Sequence, residues 1–170
     1  MRVRSVLTKL SIGTLLIGGM YGFSVVPASA GCPSTINGTS ASETLDGTAT
    51  ADCIFGFGGD DTINGAGGGD LIYGGAGDDT IGGGKGNDTG FGQNGTDTIR
   101  GGAGSDTLGG GADADSITDG NGTDTLNGGR GDDDLDSVQN NTQTDTLDGG
   151  PGHNNCSSDP SDTVSNCSVP

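Results

Sequence analysis

Large aliphatic residues return along this chain at every ninth position. Ile36, Leu45, Ile54, Ile63, Ile72 and Ile81 open the series, and Ile99, Leu108, Ile117, Leu126 and Leu135 continue it. Gly90 is the one vacancy. Two places before these positions stand acids: Glu43, Asp52, Asp61, Asp70, Asp79, Asp88, Asp97, Asp106, Asp115, Asp124 and Asp133, with Ser34 in the opening unit. Twelve nine-residue units therefore hold register from Ser29 to Asp136 without an insertion. Two columns kept over that length mark an internal repeat, and a repeat of this kind folds by stacking like units.

The last three places of a unit, such as Thr80-Ile81-Gly82 or Thr98-Ile99-Arg100, predict a very short strand. Its middle side chain points one way and its neighbours the other, and threonine suits the outward place. The six places before it are rich in glycine and predict a turn whose backbone takes angles closed to other residues. Two such units complete a circuit, so eighteen residues form one coil and each unit stacks on the next but one. The expectation is an all-β solenoid of two facing sheets with the aliphatic series between them. Stacking also predicts two acidic columns, one through Asp52, Asp70, Asp88, Asp106 and Asp124, the other through Asp61, Asp79, Asp97, Asp115 and Asp133. Neighbours in a column would stand about 4.8 Å apart. Bare carboxylates repel at that spacing, and a cation between them reverses the sign. Calcium suits such a place because it accepts six to eight oxygens in flexible geometry, whereas magnesium demands a tighter octahedron.

The units resemble the calcium-binding nonapeptide of the repeats-in-toxin (haemolysin-type) family, written GGxGxDxUx with U a large apolar residue. Full matches stand at Gly74–Gly82, Gly101–Gly109 and Gly128–Asp136, while GFGGDDTIN, GAGGGDLIY and GQNGTDTIR lack only the second glycine. GGKGNDTGF lacks the apolar residue, DGNGTDTLN the first glycine and GGADADSIT the fourth-place glycine, so the turns carrying Ala112, Asp113 and Asp119 depart from the pattern. The resemblance implies a right-handed parallel β-roll with ions between successive turns of each column, held by aspartate oxygens and turn carbonyls. Carried over by position, the ligands are Asp61, Asp70, Asp79, Asp88, Asp97, Asp106, Asp115, Asp124 and Asp133, with the turns of Gly74, Gly75 and Gly77, of Gly83, Gly84 and Gly86, and of Gly101, Gly102 and Gly104. Adjacent pairs between Gly56 and Asp136 number three in one column and four in the other, which sets an expectation of about seven calcium ions at most.

Composition changes this picture in one respect. Apolar residues are 28% of the 170, glycine numbers 38 and tryptophan is absent. An ordinary globular core cannot be assembled from that. One aliphatic side chain per unit barely offsets backbone ordering, so folding and calcium uptake are expected to be one event.

Residues 1–30 have a basic start, an apolar run from about Leu10 to Val26 and then Ala28-Ser29-Ala30, the layout of a secretory signal peptide of the Sec type cleaved after Ala30. The expected order is then 31–55, degraded N-terminal units and cap; 56–136, the regular calcium-binding roll; and 137–170, degraded C-terminal units and a disulfide cap. Ser137–Gln139 are three extra residues, after which Asp145 and Leu147 resume the register. Four cysteines in an exported chain predict two disulfides. Three connectivities are possible, and pairing within the clusters Cys32 with Cys53 and Cys156 with Cys167 is the natural choice. After the signal is removed, Lys85, Arg100 and Arg130 face 23 acidic residues, a net charge of −20. Such a surplus disfavours nucleic acid and anionic membranes as partners and favours multivalent cations.

The expected function is that of a secreted, non-enzymatic, extracellular calcium-binding protein with a structural or surface role, its cell-surface or matrix partner left open. HExxH and GxSxG are absent, and His153 is the single histidine, in the degraded unit GGPGHNNCS. An adhesive or ice-binding surface is the alternative, suggested by Thr-Asp-Thr at Thr96–Thr98, Thr123–Thr125 and Thr144–Thr146. An accessory tail to a partner enzyme or toxin is less favoured. Gly90 predicts a hole in the core if its strand is regular, unless Phe91 swings inward through a bulge.

Overall fold

The computed structural model describes residues 32–137 and 143–168. The expected signal sequence over 1–30 lies outside the described residues, as do two of the three residues expected to be extra at Ser137–Gln139. The chain forms two parallel sheets that face each other, and successive strands alternate between them. The eight-stranded sheet is built in order from β1 (Ser34–Asn37), β3 (Asp52–Gly58), β5 (Leu71–Ala76), β7 (Thr89–Asn94), β9 (Thr107–Ala112), β11 (Thr125–Arg130), β13 (Thr146–Asp148) and β15 (Thr163–Ser165). The seven-stranded sheet runs from β2 (Thr44–Asp46) through β4 (Thr62–Asn64), β6 (Thr80–Lys85), β8 (Thr98–Ala103), β10 (Ser116–Thr118) and β12 (Asp134–Asp136) to β14 (Asn155–Ser157). Among the described residues no helix is long and apolar enough to cross a membrane. This is the all-β parallel β-roll that the nine-residue period predicts.

Register follows the aliphatic series. Ile54, Ile72, Gly90, Leu108, Leu126, Leu147 and Val164 pair in one line across the larger sheet. Leu45, Ile63, Ile81, Ile99, Ile117, Leu135 and Cys156 form the matching line across the smaller one. These residues, Gly90 and Val164 apart, make the single core cluster, with Ile36 and Cys167 packed against its ends. Both cysteine pairs close within their clusters, Cys32 with Cys53 and Cys156 with Cys167. Cys156 holds an eighth place, so its disulfide ends the apolar line where another isoleucine would otherwise leave core exposed.

Strands β4, β10 and β12 keep the three residues expected, while β5 to β9 and β11 run to six. In β6 and β8 they run on through the first glycines of the next turn, with Gly84 paired to Gly102 and Lys85 to Ala103. The turn is thus made while coil-to-coil pairing continues, so little backbone is left without a partner.

Outward ninth places carry an aromatic ladder that the periodicity did not announce. Phe55 stacks on Tyr73 at 5.5 Å between ring centroids, and Tyr73 on Phe91 at 5.4 Å. Phe57, 59% exposed, lies beside Phe55 at 6.2 Å. Phe91 therefore points away from the core, and the inward bulge does not occur: Gly90 pairs regularly with Ile72 and Leu108. The hole is only partly there. A Cβ on Gly90 would sit 3.5 Å from Leu108 Cδ2 and 3.8 Å from the Cγ2 atoms of Ile81 and Ile99, so the neighbours already lean into the space.

This geometry predicts the effect of filling position 90. Gly90→Ala meets ordinary contacts in an ordinary strand conformation and should stabilise by about 0.4–1 kcal/mol, chiefly by restricting the unfolded chain. Gly90→Ile should overpack and cost about 1–3 kcal/mol. Urea midpoints of the two variants, measured in saturating calcium, should fall on opposite sides of the wild-type value.

Candidate metal centre

Each sixth-place aspartate lies at the end of a turn, just before a strand, and stacks on its counterpart one coil away. Asp52, Asp61, Asp70, Asp79, Asp88, Asp97, Asp106, Asp115, Asp124 and Asp133 are all buried. Their backbone and side chains form one repeating ladder. The Asp61 N–H donates to Asp79 Oδ1, Asp79 to Asp97 and Asp97 to Asp115, each at 2.8 Å over eighteen residues. In the other column Asp70 donates to Asp88 Oδ1 and Asp88 to Asp106 at 2.8 Å, and Asp106 to Asp124 at 2.6 Å. Most of their carbonyls in turn accept the N–H of the threonine or serine that opens the strand one coil on, as Asp61 does from Thr80 at 2.8 Å, while Asp115 accepts from Asp134 and Asp133 from Asn155.

One carboxylate oxygen of each residue is consumed in this way, and the other is left over. The Oδ2 atoms of Asp61, Asp70, Asp79, Asp88, Asp97, Asp106, Asp115, Asp124 and Asp133 are buried and have no hydrogen-bond partner. A row of orphaned anionic oxygens is costly unless something positive lies among them. The nine aspartates expected as ligands all carry such an atom, and so do Asp119, Asp145 and Asp159.

The glycines fall into two kinds. At first places a Cβ would run into the carboxylate of the same unit: Gly74 into Asp79, Gly83 into Asp88 and Gly101 into Asp106. Glycine is needed there for room. At second and fourth places, as at Gly75, Gly77, Gly84, Gly86, Gly102 and Gly104, a Cβ would strike a turn carbonyl of the preceding coil. Those carbonyls, among them Gly84 O and Gly86 O, are therefore aimed at the next coil, into the space between turns. Gly86 and Gly104 also have φ of 118° and 133°, a conformation that L side chains rarely adopt.

Burial is the leading cause of a raised pKa down both columns. It pushes Asp79, Asp88 and Asp124 up to about 6 and Asp97 and Asp115 to about 7, with neighbouring column members adding repulsion and the ladder N–H groups opposing it. Asp119 is pushed to about 8, by burial first and then by Asp145, Asp124, Asp136 and Asp162. The arrangement can either take up protons or hold multivalent cations among carboxylate and carbonyl oxygens, the ligand type that calcium prefers.

At both ends of the array protein donors stand in for a cation. Thr48, in the second place of its unit, gives its N–H and hydroxyl to Asp52 Oδ2 at 2.6 and 2.8 Å. Against the burial that raises it, this holds Asp52 below the ordinary carboxylate range. Thr39 likewise gives its N–H and hydroxyl to the Glu43 carboxylate at 2.6 and 2.9 Å. At the far end Asn154 takes a sixth place, accepts the Asp133 N–H at 2.9 Å and donates Nδ2 to the Gly150 and Asn166 carbonyls. An amide there satisfies carbonyls with N–H groups.

Three features lay outside the expected set. Asp145 extends one column by accepting the Asp124 N–H at 2.8 Å across the three-residue insertion. Asp119, one of the departures from the repeat, is buried beside Asp124 and Asp145. Fifth places form a second, exposed ladder, in which Asp78 donates its N–H to Asp60 Oδ1 at 3.0 Å, Thr96 to Asp78 at 2.8 Å and Ser105 to Asn87 at 2.9 Å. The recurrence of Asp, Asn, Ser and Thr at fifth places was the signal for it. His153 belongs to this ladder through its N–H to Asp132 Oδ1 at 2.8 Å, as a turn residue.

The raised pKa values set a sign for pH. Each of these folded-state values lies above the ordinary 3.8, so the protonated carboxyl is favoured by the fold. Its stabilisation is complete below about pH 3.8 and is lost as pH rises through about 6 to 7. In calcium-free buffer the β-signal in circular dichroism should therefore grow from about pH 8 to about pH 5. A calcium-free signal that shrinks on acidification would show that carboxylate burial is not the dominant cost.

A family profile described as the RTX calcium-binding nonapeptide repeat (4 copies) matches residues 37–72, 55–90, 91–118 and 101–135, together more than half of the chain. No curated protein matches it.

Proposed function

The chain belongs to the RTX calcium-binding nonapeptide repeat family, and from that premise we propose that it is a secreted, non-enzymatic protein whose roll folds on binding several calcium ions. The observation that carries this reading is the row of buried aspartate Oδ2 atoms without a partner. Asp61, Asp70, Asp79, Asp88, Asp97, Asp106, Asp115, Asp124 and Asp133 supply carboxylate oxygens. The turns of Gly74, Gly75, Gly77, Gly83, Gly84, Gly86, Gly101, Gly102 and Gly104 supply carbonyls. Residues 56–136 form the binding array with about seven ions at most, 31–55 and 137–170 the caps, and 1–30 the export signal. Two disulfides support an oxidising, extracellular destination. The acidic surplus supports a protein that avoids nucleic acid and anionic membranes.

Threonines at seventh places do line up on the smaller sheet, as Thr44, Thr62, Thr80 and Thr98. The row then breaks at Ser116 and Asp134, and the row beside it carries Asp46, Asn64, Gly82 and Arg100. The larger sheet carries an unbroken row, Thr89, Thr107, Thr125, Thr146 and Thr163, but the row beside it holds Phe91, Gly109, Asn127, Asp148 and Ser165. Faces so mixed favour a solvated sheet over an adhesive or ice-binding module.

At neutral pH the protein should be largely unfolded in excess chelator and gain β-structure cooperatively on calcium addition, as followed by circular dichroism. An equally folded spectrum in chelator would overturn the reading. Asp106→Ala removes a carboxylate shared by two intervals of its column and should raise the calcium midpoint by about tenfold. Asp46→Ala, exposed on β2 and outside the columns, should leave it unchanged. Equal midpoints for the two variants would show that the columns do not hold the ions.

A further inference from the structure

We propose that Asp119, Asp124 and Asp145 form a three-carboxylate calcium site that fills before the two-carboxylate intervals of the array. The proposal rests on the calcium-binding reading above and adds to it a residue that the repeat does not call for. Asp119 stands at a first place, where the other units of the regular array carry glycine. A charged side chain on a solenoid turn ordinarily reaches water, yet Asp119 is 4% exposed. Neither of its carboxylate oxygens has a hydrogen-bond partner.

Its place in the unit explains where it points. In neighbouring units a Cβ at the first place would meet that unit's own sixth-place carboxylate, Asp115 for Gly110 and Asp133 for Gly128. Residue 119 is thus aimed along the turn at Asp124. Asp145 comes from the next coil and binds the Asp124 N–H through Oδ1 at 2.8 Å, while its Oδ2 is buried and without a partner. One oxygen from each of the three residues lies within 4.8 Å of the others. Two oxygens bound to one calcium at about 2.4 Å can stand no more than about 4.8 Å apart, so every pair among the three falls within the span of one ion.

A third carboxylate raises the ligand charge above that of an ordinary interval, and ligand charge count is a main determinant of calcium affinity. The site also joins the last full coil of the array to the C-terminal cap, since Asp145 in turn donates its N–H to Asp162 Oδ1 at 2.9 Å. The first ion bound is therefore placed where it fastens the array to its closed end.

Calorimetric titration of the disulfide-intact protein with calcium tests this directly. The wild type should take up one ion in a step tighter than all the others. Asp119→Asn, which keeps shape and removes charge, should weaken that step by at least about tenfold and leave the later steps in place. Asp119→Gly, the residue of the repeat, should do the same, and both variants should reach the wild-type circular dichroism spectrum in saturating calcium. Variants that keep the tight step, or a wild type with no step tighter than the rest, would overturn the proposal while leaving calcium-dependent folding intact. So would failure of both variants to fold in saturating calcium, which would assign Asp119 a structural task independent of the ion. A wild type that binds no calcium would overturn this proposal and the reading beneath it together.

Discussion

Carboxylates buried one strand spacing apart are the condition to which this chain is fitted. The roll cannot close without bringing the sixth-place residues into two columns, because the same eighteen-residue period aligns the aliphatic lines and the acids. Hydrogen bonding takes care of half of each side chain: Oδ1 accepts an N–H from the coil before it, in both columns. The remaining oxygen has no donor, and the core that must offset this cost is one side chain thick. Other features follow. First-place glycines give the carboxylate room, and second- and fourth-place glycines bring carbonyls to the gap between turns. Among the described residues the interior has no cationic side chain to offer, since Lys85, Arg100 and Arg130 are exposed. Neutralisation must come from outside the chain, as calcium or as protons, and the two compete for the same oxygens.

The ladder has a direction, and that direction dictates unlike caps. From Asp61 onward the sixth-place aspartates reach back one coil toward the N-terminus to accept an N–H. The first coils consequently have acids whose donors must come from their own turn, which is what Thr39 provides for Glu43 and Thr48 for Asp52. The last coils have N–H groups that need an acceptor from beyond the array, and Asn154 and Asp162 serve Asp133 and Asp145. Both sets are short polar side chains in repeat positions, so the ends of the roll are variations on its unit rather than separate structures. The disulfides then hold these ends shut, and Cys156 does so from within the apolar line itself.

Most of this architecture was legible in the sequence because it is periodic. Register, coil length, the two columns and the inward aliphatic lines all follow from the recurrence at eighth and sixth places. What escaped was whatever depends on contact rather than on period. Strand length was underestimated because glycine was read as turn, whereas Gly84 and Gly102 remain paired while the chain bends. Phe55, Tyr73 and Phe91 occur in alternate units, too few to stand out as a column before the coil stacks them. The Gly90 gap was visible, but how far Leu108, Ile81 and Ile99 would close it was not. Asp119 was seen only as a flaw in the motif, since a one-dimensional pattern cannot distinguish a broken position from one with an added group.

That distinction bears on how such an array folds. A solenoid held by nearest-neighbour contacts gains little from its first coil, because one coil has no partner on which to stack. Calcium shared between coils has the same difficulty, since each interval requires two ordered turns before it can offer its oxygens. Order at the ends lowers this cost. At the N-terminus Thr48 and Asp52 form their contact inside a single turn, donor and acceptor four residues apart in sequence. At the C-terminus the disulfide joins Cys156 to Cys167, eleven residues apart, next to the successive coils that carry Asp145 and Asp162. Both ends can take shape with short loop closures, and the longer array between them has a template at each end on which to add coils.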